Sequence, residues 1–222
     1  MKSVTVGSQK LLQRAVEHRP DLLLSALHRA GVVERGEVLE WRSPLASQSY
    51  CEYRDGEALR QLGIGVQLRA PLSSFWPARG PVWDALGRAG TAPLLLEAKA
   101  HIPEAASPPT KASPASRAQI ETSLKAARKF YAPRSGADWT TVFFQYANRL
   151  AHQYFLRELN QIPSRLVFLY FTNAKDVDGP STEEEWRGAI RLLHAQLGLA
   201  QDLKHFGVYD AYLDARDVID AA

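Results

Sequence analysis

Residues 165–172 read Arg-Leu-Val-Phe-Leu-Tyr-Phe-Thr. A run of consecutive apolar side chains cannot divide itself between core and water, so as an extended chain it belongs at the centre of a sheet. The rest of the chain must then supply covering layers. Residues 8–30 read as helix in two pieces, with Pro20 able to open the second. Leu22, Leu23, Ala26, Leu27 and Ala30 share one face there, and Gly31 supplies a stop. Residues 55–63 read as a short helix with Asp55 as cap. Further helices are predicted over 117–131, over 139–160 with Phe143, Ala147, Leu150 and Tyr154 on one stripe, and over 182–197. Strand patterns fall at 38–41 and 206–213, and four prolines make 102–116 a loop. The expected fold is a single α/β domain with a mixed central sheet flanked by helices. Residues 1–35 form an N-terminal helical extension, and 36–222 hold the α/β body with a C-terminal helix and strand added.

The chain has 222 residues and one cysteine, Cys51, so no internal disulfide framework exists. No segment has the length and hydropathy of a membrane span or a cleavable leader, which points to a cytoplasmic protein with no membrane partner. Net charge is only +3, but its distribution is uneven. Residues 105–134 carry six Lys and Arg against one Glu, and residues 176–222 carry ten Asp and Glu against four Lys and Arg. A basic middle suits an anionic ligand. The histidines show no zinc spacing, and no glycine-rich phosphate loop, dinucleotide fingerprint or serine elbow occurs.

The segment 84–101 carries the chemistry. Two apolar runs flank Gly-Arg-Ala-Gly-Thr-Ala and predict a hairpin. On its second strand Leu94, Leu96, Ala98 and Ala100 point one way, and Leu95, Glu97, Lys99 and His101 point the other. Charges inside so apolar a strand demand partners or a metal. A four-residue loop at 89–92 would set Asp84 directly opposite Glu97. Two facing carboxylates repel unless a cation lies between them, and hard oxygen ligands suit Mg²⁺ or Mn²⁺. Such a cation would polarise a phosphoryl oxygen and activate water, while Lys99 oriented that water or stabilised the growing charge.

Asp84, twelve intervening residues and then Glu97-Ala98-Lys99 resembles the signature of the PD-(D/E)XK nuclease superfamily, as does the order of elements over roughly residues 36–172. The resemblance implies a restriction-endonuclease-like fold, metal binding by Asp84 and Glu97, and catalysis by Lys99. Trp83 stands where many members carry proline. Glu52 or Glu57 could add the acid that the superfamily often takes from its first helix, and His101 and Glu104 follow the catalytic strand. Candidate substrate contacts are Arg79, Lys111, Lys125, Arg128 and Lys129, with Gln145, Asn148 and His152 on one stripe of the long helix. The Gln-x-x-x-Tyr pattern of one branch is missing, because Arg149 stands four after Gln145. The function expected is metal-dependent hydrolysis of nucleic acid, DNA favoured. The alternative is a module of the same fold that binds nucleic acid or protein without turnover. Partners expected are nucleic acid and either a second copy or another protein.

Overall fold

The computed structural model describes residues 7–66, 68–175 and 181–219. Asp176, Asp178 and Asp220 of the acidic tail lie outside them. The chain forms a single α/β domain around a five-stranded mixed sheet in the order β1-β2-β3-β4-β5. The strands are β1 (Leu39–Ser43), β2 (Ala85–Ala89), β3 (Ala92–Lys99), β4 (Arg165–Thr172) and β5 (Val208–Asp214). The first three pair antiparallel, and β3, β4 and β5 run parallel. The apolar run at 165–172 is interior to the sheet, as its composition requires.

Helices α1 (Ser8–His18) and α2 (Pro20–Ala30) cover one face. Leu11, Leu12, Leu23 and Leu27 pack there against Leu94, Leu96, Ala98, Val167, Leu169 and Phe171. Pro20 opens α2 and Gly31 closes it with a φ of 80°. The opposite face carries Leu95, Leu166, Phe168 and Tyr170, buried under α5 (Pro114–Tyr131), α6 (Phe144–Tyr154) and α7 (Glu183–Leu197). The period-two split predicted for β3 is therefore present in the two cores. Three short helices, α3 (Asp55–Gln61), α4 (Leu72–Phe75) and α8 (Ala215–Ile219), complete the chain. Among the described residues no helix is long and apolar enough to cross a membrane.

Four local expectations need correction. The hairpin turn is two residues, not four, because Ala89 pairs with Ala92 and Gly90 takes the positive φ of 55° that a tight hairpin needs. Helix α5 begins at Pro114, since proline suits a first turn and Ser113 caps it. The long helix begins only at Phe144: Phe143 is left-handed, and the buried Trp139 spends its indole N–H on the Leu197 carbonyl at 3.0 Å. Asp55 does not cap α3, because its carboxylate accepts the N–H groups of Arg79 and Gly80 at 2.9 and 2.8 Å.

Strand β1 lies close on β2 at Gly87. A Cβ there would stand 2.8 Å from the Glu40 carbonyl and 3.2 Å from the Trp41 ring. Backbone cannot retreat cheaply, so Gly87→Ala should lose about 1–3 kcal/mol in urea unfolding.

Candidate active site

The β2–β3 pairing matches Ala85 with Leu96, and one step further along brings Asp84 opposite Glu97. Asp84 lies just before β2, and its Oδ2 accepts the Ala98 N–H at 2.7 Å. Among the described residues its other oxygen accepts no hydrogen bond. Glu97 is only 4% exposed. Its Oε1 accepts Lys99 Nζ at 2.6 Å, and its Oε2 accepts Arg149 Nε at 2.8 Å, with Nη2 of the same ion pair 2.6 Å away. Lys99 Nζ also lies 3.3 Å from Gln145 Oε1.

Burial pushes the Glu97 carboxyl up, but the cations of Arg149 and Lys99 outweigh burial and hold it below its ordinary range. Asp84 goes the other way. Withdrawal from water and the nearby Glu97 charge push it up to about 7, against the pull of the Ala98 N–H and the two cations. The carboxylate repulsion is thus relieved at Glu97 and left standing at Asp84. A divalent cation bound by both acids would remove it. Two carboxylates with room for water suit Mg²⁺, which dehydrates reluctantly and is commonly held by one or two carboxylates and its substrate. Among the described residues no third acid, histidine or cysteine joins them.

Arg149 joins this cluster and is absent from the sequence expectations. It is 6% exposed on α6. Its guanidinium grips Glu97, donates to Asn148 Oδ1 at 2.8 Å and to the Val82 carbonyl at 2.9 Å, and lies 5.0 Å from the Trp83 ring centre. The available signal was its place one turn after Gln145, on a helix that must face a strand carrying a buried acid.

These groups form the floor of a cleft of about 890 Å³. Arg79 and Lys111 stand on its walls, and Gln145 and Asn148 line it with Asp84, Glu97 and Lys99. The other candidates lie elsewhere. Glu52 accepts Gln9 Nε2 at 2.7 Å, and Glu57 pairs with Arg60. His101 Nδ1 lies 2.6 Å from Glu104 Oε1, and Glu104 Oε2 accepts the Ala100 N–H at 3.4 Å, so the two engage each other beyond the strand end. Lys125 and Arg128 border a separate hollow with Asp138, and Lys129 is exposed outside the cleft. His152 is no substrate contact. It is buried among Phe75, Trp76 and Trp83, its Nδ1 lies 2.8 Å from the Asn148 carbonyl, and burial lowers its pKa to about 4, so it is neutral. Of the polar stripe of α6, Gln145 is exposed at the cleft, whereas Asn148 and His152 are buried because neighbouring elements pack over that part of the helix.

No family model, curated protein or solved structure matches this chain. Its chemistry has to be read from the cleft.

The raised Asp84 carboxyl has a pH signature. Its folded pKa exceeds the ordinary 3.8, so its contribution to stability is complete below that value and is lost as pH rises through about 7. Asp84→Asn keeps an acceptor for the Ala98 N–H and removes the charge. Without metal it should raise the melting temperature at about pH 8, by roughly 2–4 °C per kcal/mol recovered, and leave it unchanged at about pH 4. Conversely, Arg149→Met strips one partner from a buried carboxylate and should cost about 3–5 kcal/mol in urea unfolding.

Proposed function

We propose that this chain is a divalent-metal-dependent hydrolase of nucleic-acid phosphodiester bonds, with DNA the favoured substrate. The observation that carries the proposal is the opposition of Asp84 and Glu97 across β2 and β3, with Lys99 Nζ 2.6 Å from Glu97, at the floor of one cleft. The arrangement supports reading the sheet as a form of the PD-(D/E)XK core, with the acid before its second strand and Glu-x-Lys on its third. On that reading Asp84 and Glu97 hold Mg²⁺ or Mn²⁺, which when bound supplies Lewis acidity toward a phosphoryl oxygen.

The chain's own groups do the rest. Lys99 donates from Nζ toward the phosphate as negative charge gathers on its oxygens. Arg149 is a positioning residue: it holds the Glu97 carboxylate while its other donors are tied to Val82 and Asn148. Arg79 and Lys111 meet flanking phosphates from the walls. In the reaction a water oxygen forms the new bond to phosphorus and gives up a proton to solvent, the bond from phosphorus to the leaving sugar oxygen breaks, and that oxygen takes up a proton from solvent.

One observation favours the rival reading of a module without turnover: both Glu97 oxygens are already engaged by cations of the chain. One experiment separates the two. Purified protein is incubated with Mn²⁺ and either circular single-stranded DNA or closed duplex circles. Cleavage of at least one of the two substrates is expected, with loss on chelation and a drop of about 10²–10³-fold in Lys99→Ala. Cleavage that persists unchanged in both Lys99→Ala and Asp84→Asn would assign it to a contaminant, and no cleavage would leave the binding module.

A further inference from the structure

The walls of the cleft are tied down. Segment 76–82 forms one wall. From behind, the Asp55 carboxylate holds the N–H groups of Arg79 and Gly80, and Arg149 holds the Val82 carbonyl. A Cβ on Gly80 would stand 2.7 Å from Asp55 Oδ1, so this wall has no slack toward α3. Segment 108–113 forms the facing wall. Arg117 Nη2 donates to the Thr110 carbonyl at 3.2 Å, and the Ala112 N–H donates to Thr110 Oγ1 at 3.2 Å. At its base Ser107 Oγ accepts the Gln145 N–H at 2.8 Å. Pro77, Pro81, Pro108 and Pro109 further restrict both segments.

A fixed cleft of about 890 Å³ is the size of a small-molecule pocket, for which about 300–1,000 Å³ is usual. Duplex DNA is far larger: its major groove alone is about 12 Å wide. Bending it smoothly by roughly 40–90° to lower one backbone toward a recessed floor costs about 1–6 kcal/mol. The floor is recessed, because Glu97 is buried and Lys99 keeps only 16% of its side chain exposed. A single strand can make the descent, since its backbone torsions are free. The cations agree with that occupant. Arg79 and Lys111 on the walls and Lys99 on the floor line one groove along which a single backbone can run. Among the described residues Lys125 and Arg128 border another hollow, and Arg117 beside the cleft has its Nη2 on the Thr110 carbonyl.

We propose that the cleft admits one DNA strand, and that its fixed walls exclude intact duplex, so the substrates are single strands and unpaired ends. The chemistry of cleavage rests on the hydrolase reading above, whereas the choice of strand does not.

The test uses binding and cleavage separately. Asp84→Asn protein is titrated against a labelled single-stranded oligonucleotide and against the same sequence as a blunt duplex, without metal, at near-physiological salt. The single strand should bind at least about tenfold more tightly. Lys111→Glu, added to that variant, should weaken single-strand binding several-fold with no change in melting temperature. Wild-type protein with Mn²⁺ should cut circular single strands and spare relaxed closed duplex circles. Duplex bound or cut as well as single strand overturns the proposal, as does failure to bind the single strand or indifference to Lys111→Glu. Tight single-strand binding with no cleavage upholds the strand preference and overturns the hydrolase.

Discussion

Glu97 places a carboxylate inside the sheet core, where an unpaired charge would cost several kcal/mol. It is tolerated because Lys99 reaches it from the same strand face and Arg149 from the helix above. Arg149 also holds the Val82 carbonyl, so one buried acid ties together β3, α6 and the segment leading into β2. Asp84 is drawn to this group by strand pairing, yet among the described residues it receives only one hydrogen bond. The cluster balances two acids against two bases overall, but the balance is local to Glu97. Residual tension of this kind is common where a group serves chemistry rather than stability.

The two faces of the sheet divide the work. The face under α1 and α2 is wholly apolar on β3, with Leu94, Leu96, Ala98 and Ala100 buried there. The opposite face gives up part of its apolar cover to the charged floor and recovers it from aromatic packing around Phe75, Trp76, Trp83 and Phe155. His152 sits within that packing and reinforces one wall, a structural part played by a residue of functional type.

Much of this was legible in the chain. The run at 165–172 could only be interior, and the alternation along β3 put Glu97 and Lys99 on one face whatever lay around them. The pairing of Asp84 with Glu97 survived a wrong turn length, because shortening a hairpin loop by one residue on each side leaves its register unchanged. Arg149 was not legible for a different reason. A helix can be polar because it is solvated or because it faces buried charges, and only the surrounding elements decide which. The same ambiguity misplaced His152. The basic residues of α5 looked suitable by composition, but helical phase turned Lys125, Arg128 and Lys129 away from the cleft. Pro114 looked like a loop residue until its position in a first turn was known.

The Gly90–Thr91 turn joins the two strands that bring the acids together. It lies six residues from Asp84 along one strand and six from Glu97 along the other, about 20 Å away at strand rise. Nothing there touches the cleft. Yet an inserted residue that slipped the ladder by one step would face Asp84 with an alanine or a leucine in place of its acid. The spacing of twelve residues between Asp84 and Glu97 is therefore a ruler. Lineages carrying this domain should tolerate changes of residue in the turn far better than insertions or deletions.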